Sequence, residues 1–149
     1  MRAVVQRVSR ARVDADGELA GEMGEGLLAL VGVGHDDGPA DAEALAAKLC
    51  SMRVFEDADG RMGRSLVDVG ATLGVVSQFT LMGDLRKGRR PSWSAAAAPE
   101  QAAPLVEAVA AAARAQGVSV ITGRFGASME VELVNRGPVT LLIDTQRAF

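Results

Sequence analysis

The sequence predicts an α+β fold: a single domain, residues 1–149, with a largely antiparallel, barrel-like β-sheet and two main helices. Strand-like segments come in consecutive blocks toward both ends of the chain, a pattern unlike the regular alternation of a doubly wound sheet. Two apolar stripes at helical spacing lie between the blocks. Near the end, Met129, Val131 and Leu133 alternate with Glu130 and Glu132, the period-two signature of a sheet with one wet face.

The valine-rich opening, to about Val13, reads as a strand. Asp16-Gly17 is a hairpin signal, and a short strand around Leu19 follows it. Gly26 then opens an apolar run of strand length that ends at Val33. Pro39 suits the first turn of a helix, and Ala42, Leu45, Ala46, Leu49 and Cys50 follow at i, i+3, i+4, i+7 and i+8. Val54-Phe55 leads into Asp57-Ala58-Asp59-Gly60, a turn that lacks the later ligands and closing Glu of a calcium loop. Residues 72–80 read as another buried strand. Pro99, Glu100 and Gln101 begin the second helix, whose apolar contacts are Leu105, Val106 and Val109, and Gln116-Gly117 ends it. Three strands are expected after it, over residues 118–122, 128–134 and 139–144, with residues 146–149 as a loose tail.

Composition narrows the function. The 149 residues suffice for one buried core, and the high apolar fraction excludes disorder. No run reaches the roughly 18–20 consecutive apolar residues of a membrane helix. Met1 to Arg7 carries charge and no long apolar stretch follows, so no signal peptide is expected. The single cysteine, Cys50, fits a reducing compartment, and a cytoplasmic location is expected. His35 is likewise alone and sits in a turn-like Gly34-His35-Asp36-Asp37-Gly38, where an exposed polar histidine is the plain reading. Cys50 falls on an apolar helix face, where a buried inert thiol is expected. No metal site, cofactor or histidine base is therefore expected. Gly32-Val33-Gly34 lacks the third glycine of a dinucleotide loop.

Three segments carry chemistry in their composition. Arg86, Lys87, Arg89 and Arg90 surround Gly88 and precede Pro91-Ser92-Trp93. That loop suits either phosphate contact with Trp93 stacking on a base, or a solvated surface with Trp93 as an anchor. The net charge of −3 does not separate these, because phosphate binding follows local clustering. Ser77-Gln78-Phe79-Thr80 closes an apolar strand, where polar groups either aim donors at a carbonyl or simply end the strand. Asn135-Arg136-Gly137-Pro138-Val139-Thr140 reads as a turn between strands; a cis bond before Pro138 would aim the Gly137 carbonyl in a fixed direction.

Taken together, these segments resemble the D-aminoacyl-tRNA deacylase family (formerly D-tyrosyl-tRNA deacylase) along nearly the whole chain. The matching residues are Val5-Gln6-Arg7-Val8, Gly26-Leu27-Leu28, Ser77-Gln78-Phe79-Thr80-Leu81, Arg90-Pro91-Ser92, Thr122-Gly123-Arg124-Phe125 and Asn135 to Thr140. The resemblance implies an aminoacyl-tRNA substrate, RNA rather than DNA, and a homodimer with active sites at the subunit interface. Ser77, Gln78, Phe79 and Thr80 of one protomer would line the pocket. Gly137 and Pro138, as a cis pair, would enter from the partner to exclude L-residues, with Arg7 holding the pair in orientation. Hydrolysis would release D-amino acids, and glycine, from tRNA. Two positions depart from the family pattern: Arg136 stands where Asp is frequent, and Gly63 follows Met62 where Asn is common. A non-catalytic tRNA-binding module, a related editing hydrolase for other misacylated tRNAs and an inactive structural dimer are the competing readings.

Overall fold

One strand organises the molecule. In the computed structural model, which describes residues 1–149, β1 (Arg2–Ala15) is flanked on both sides along its length. Its first half pairs antiparallel with β3 (Gly26–Gly32) and its second half with β2 (Glu18–Met23). The other edge of β1 pairs antiparallel throughout with β8 (Met129–Asp144). Asp16 and Gly17, both with positive φ, make the expected turn between β1 and β2.

The sheet then changes character. β6 (Thr72–Ser77) lies parallel to β3, and β7 (Ser119–Thr122) lies parallel to β6. Each parallel pair needs a crossover, and the helices supply them. The first crossover carries α1 (Pro39–Ser51), a small hairpin of β4 (Phe55–Glu56) and β5 (Met62–Arg64), and the single-turn α2 (Leu66–Val69). The second carries α3 (Pro99–Ala115). The sheet is thus mixed, with both expected helices in place. β2 approaches β7 where Gly21 meets the Ile121 side chain, which nearly closes the barrel.

Burial follows the stripes read from the sequence. Ala42, Leu45, Ala46, Leu49 and Cys50 of α1 face Leu105 and Val109 of α3 and one face of β1, β3 and β6. Full burial of each such leucine contributes about 1.5–3 kcal/mol. A smaller cluster, with Val8, Val13, Leu28 and Val76, fills the opposite face. Glu130 and Glu132 are exposed, and Glu132 pairs with Arg10, so this carboxylate pair is the wet side of a sheet.

Two expectations need correction. Residues 128–144 are not two strands joined by a turn, because β8 runs unbroken through them. Both flanks pair with β1 in the same direction, so the chain has no reason to reverse. Gln6 and Val8, two residues apart, face Thr140 and Asn135, five residues apart, so the surplus bulges out of the ladder. The strand expected to reach Thr80 stops at Ser77, and Phe79–Met82 coil into a 3-10 turn. Of the expected loose tail only Gln146 is held by its side chain, which donates to Asp41 at 2.9 Å beside the Thr145 hydroxyl at 2.7 Å, while residues 147–149 are exposed.

Gly26 is set by close approach, since a Cβ there would collide with the Thr72 carbonyl oxygen on β6. Gly26→Ala is expected to destabilise the fold by about 1–3 kcal/mol, read from the midpoint of urea unfolding. Gly24→Ala, which meets open space, is expected to leave that midpoint unchanged.

Candidate active site

β6 is buried from Leu73 to Val76, and the ladder persists beyond Ser77 with a bond from the Gln78 N–H to the Val31 carbonyl at 2.7 Å. Gln78 then leaves the extended region, and the 3-10 turn closes with Leu81 donating to Gln78 O at 3.2 Å. This abrupt stop brings Ser77, Gln78 and Phe79 to the rim of a cleft of about 520 Å³. Val106 of α3, Phe125 and Met129 form much of the remaining wall. Thr80 does not line the cleft, but its hydroxyl accepts from the Gln78 side-chain amide and so orients it.

The lining is mostly apolar and includes no titratable side chain of this chain. His35 lies outside it, exposed beside Asp36. Cys50 is buried in the core, and burial pushes its thiol up, as expected of an inert side chain. No Cys, His, Asp and Glu group is arranged to hold a metal ion. The cleft offers polar donors and shape but no general base.

The bulge in β8 presents Gly137 and Pro138 to solvent, with the bond between them cis. Neither residue lines the cleft of its own chain. Arg7, only 5 % exposed, lies opposite the surplus residues. Its Nε donates to the Arg136 carbonyl at 3.1 Å, and its Nη1 donates to the Val54 carbonyl at 2.6 Å. Asn135 completes the clamp by donating to the carbonyls of Arg7 at 3.0 Å and Val139 at 2.9 Å. Gly137 has φ of +132°, and a Cβ there would lie 2.7 Å from Val139 Cγ2 and 3.0 Å from Val139 N. The sequence reading missed Asn135, Val106 and Met129 as site residues; Asn before Gly-Pro was visible, but it reads equally as a turn residue.

The basic segment is a hairpin closed by reciprocal bonds between Asp84 and Ser92, both 2.9 Å. Arg86 folds back onto Asp84 at 2.6 Å and so differs from the other three cations. Lys87, Arg89 and Arg90 are exposed and have no carboxylate within ion-pair distance. Trp93 stacks edge-to-face on Phe79, with ring centroids 5.2 Å apart.

Fold and cleft together define a small mixed-sheet barrel with an apolar, donor-edged cleft at a strand end. Its lineage is equally plain: residues 4–144 match the D-Tyr-tRNA(Tyr) deacylase family, and the chain belongs to that family. A D-aminoacyl-tRNA deacylase of Anaeromyxobacter dehalogenans is 57 % identical over 149 residues, covering 100 % of both chains. A solved structure titled c-Myc DNA Unwinding Element Binding Protein superposes with a TM-score of 0.90 at 35 % identity, over 97 % of this chain and 99 % of that one. Another, titled as a probable eukaryotic D-amino acid tRNA deacylase, gives 0.84 at 17 % identity, over 95 % and 97 %, and shares the fold.

The Arg86 guanidinium, by hydrogen bond, lowers the Asp84 carboxyl from 3.8 to about 2. A depressed carboxylate keeps its partner above the usual range and loses it only as pH falls through the lowered value. The Asp84 carbon signal in an NMR titration is expected to turn over at about 2, and Arg86→Ala to return it toward 3.8. A midpoint near 3.8 in the intact protein would contradict the clamp.

Proposed function

We propose that the protein hydrolyses the ester between a D-amino acid, or glycine, and the terminal adenosine of tRNA, as a homodimer that combines two chains in each active site. The observation that carries this reading is the separation of two features. The donor-edged cleft lies at Ser77, Gln78 and Phe79, while the exposed Gly137–Pro138 bulge lies outside it on the same chain. A second copy supplies the missing wall. Val134, Leu141 and Leu142 are exposed apolar residues on β8, the strand that carries the bulge, and support its burial against a partner. A cytoplasmic setting accords with a substrate used in translation, and no helix is long and apolar enough to cross a membrane.

An aminoacyl ester is already activated, so orientation and charge stabilisation suffice. The first turn after Ser77 leaves the N–H of Phe79, which lines the cleft, outside the 3-10 helix's own bonds, as a donor for a developing oxyanion. With no titratable group of this chain in the lining, water attacks with help from the vicinal hydroxyl of the substrate's ribose. Chirality is read by exclusion. Arg7 and Asn135 stitch the bulge from both sides, so its backbone cannot yield to an L side chain as a rotamer would.

Turnover of matched D- and L-aminoacyl-tRNAs is the direct test, with D-substrate and glycyl-tRNA cleaved and L-substrate spared. Gly137→Ala is expected to cut D-substrate hydrolysis roughly 100-fold, because displacement at a positioned site costs about that much. Gln78→Ala is expected to be similarly impaired, and mixing the two variants to restore part of the activity by re-forming one intact site per dimer. A mixture no better than its parts sinks the shared site. Equal turnover of D- and L-substrates sinks the chirality reading, and no turnover at all favours a non-catalytic RNA-binding module.

Substrate assistance separates cleanly from a Thr80 nucleophile. Thr80→Ala is expected to keep activity within about tenfold, while tRNA ending in 2′-deoxyadenosine is cleaved roughly 100-fold more slowly or worse. A trapped aminoacyl ester on Thr80 would reverse this assignment.

A further inference from the structure

We propose that the exposed face of Trp93 is a stacking platform for a nucleobase in the unpaired 3′ end of the RNA, with Lys87, Arg89 and Arg90 holding the neighbouring phosphates. The proposal rests on the reading above that an aminoacyl-tRNA is the substrate. Trp93 directly follows Ser92, where the two hairpin bonds close the loop. Its ring is braced by two neighbours: Phe79 meets it edge-to-face, and a Cβ on Gly83 would lie only 2.7 Å from Trp93 Cζ3. Its backbone is fixed as well. The Trp93 carbonyl accepts from Ala96 at 2.9 Å, and Ala97 donates to Val33 at the same distance.

A tryptophan that served only as an anchor would be drawn into the core, yet Trp93 is 41 % exposed and belongs to neither buried cluster. An indole braced by Phe79 and Gly83 and still 41 % exposed suits base stacking, which depends little on sequence. Charge complementarity names the occupant. Three cations without carboxylate partners lie in the same hairpin, and Asp84 neutralises only Arg86. Phe79 links the two regions, because it both rims the cleft and touches Trp93. A strand whose last nucleotide occupies the cleft therefore leads its preceding base toward Trp93 and its backbone toward the hairpin. Bases inside a duplex are already stacked on both faces, so the platform selects a single strand.

The chain has one tryptophan and no tyrosine, so intrinsic emission reports on Trp93 alone. Titration with a single-stranded RNA tetranucleotide ending in CCA is expected to quench that emission, and an abasic oligomer of equal length is expected not to. By filter binding, Trp93→Ala is expected to weaken the tetranucleotide roughly tenfold, toward the abasic oligomer, while Trp93→Phe retains most of the affinity. Replacing Lys87, Arg89 and Arg90 by alanine is expected to weaken both oligomers and flatten the salt dependence. Bound tetranucleotide without quenching, or wild-type affinity in Trp93→Ala, overturns the platform. Deacylase assays on the same preparations keep the two readings apart. Hydrolysis without quenching removes the platform alone, and quenching without hydrolysis removes the catalytic reading alone.

Discussion

The projection of Gly137 and Pro138 depends on a buried guanidinium that has no carboxylate partner. Arg7 sits on the spine strand at the point where β8 carries more residues than β1 can face. A cation in such a place is costly unless its protons are satisfied, and main-chain carbonyls at Val54 and Arg136 accept two of them. One accepting carbonyl belongs to the loop before β4 and the other to the bulge. The same side chain therefore ties the sheet to the first crossover and fixes where the bulge begins. Lysine would offer a point charge in place of a fork and could not span both directions in the same way.

The cleft owes its position to a different constraint. β3 and β6 run parallel, and the chain must leave the carboxyl end of each to begin a crossover. Val31, Val76 and Ser77 bring these ends to one edge of the barrel, and α3 covers the flank with Ala102 and Val106. Open sheets with parallel strands bind ligands at that end for the same topological reason. Stopping β6 at Ser77 converts the next residues from ladder members into a rim with unpaired donors. The bulge interrupts the antiparallel β1–β8 ladder, whereas the cleft opens at the carboxyl ends of the parallel strands, with Met129 and Val131 of β8 in its wall.

These two regions were unequally legible in the sequence. The stripe from Ala42 to Cys50, that of Leu105, Val106 and Val109, and the alternation from Met129 to Leu133 each specify one inward face, so α1, α3 and the wet side of β8 followed from local pattern. Pairing partners did not, because an apolar run such as Leu27 to Val31 suits a parallel or an antiparallel neighbour equally. The continuity of β8 was hidden for a more specific reason. Asn135, Gly137 and Pro138 are turn residues by composition, and only the long-range pairing of both flanks with β1 keeps the strand straight. Ser77 to Thr80 and Gly137-Pro138 were singled out through resemblance, since local physics alone left a strand end and a turn; of these, Ser77, Gln78 and Phe79 line the cleft of their own chain. Val106 and Met129 carried no signal, because an apolar cleft wall looks like core until the fold leaves it uncovered.

Arg136 and Gly63, the two positions expected to depart from the family pattern, each have a neighbouring residue that accommodates them. Gly63 leaves room that Asp57 occupies, since a Cβ there would collide with the Asp57 carboxylate. That carboxylate accepts from the N–H groups of Asp59 and Arg61, both at 2.9 Å, and so shapes the β4–β5 turn without a polar side chain at Gly63. Arg136 brings positive charge beside the bulge, and Glu25, in the connection between β2 and β3, meets it at 2.8 Å. Both partners of this pair are half exposed, so it adds little stability. Its effect is geometric: it holds the Arg136 side chain toward β3 while Arg7 holds the carbonyl. Side chain and carbonyl of one residue are thereby fixed in separate directions, immediately before Gly137.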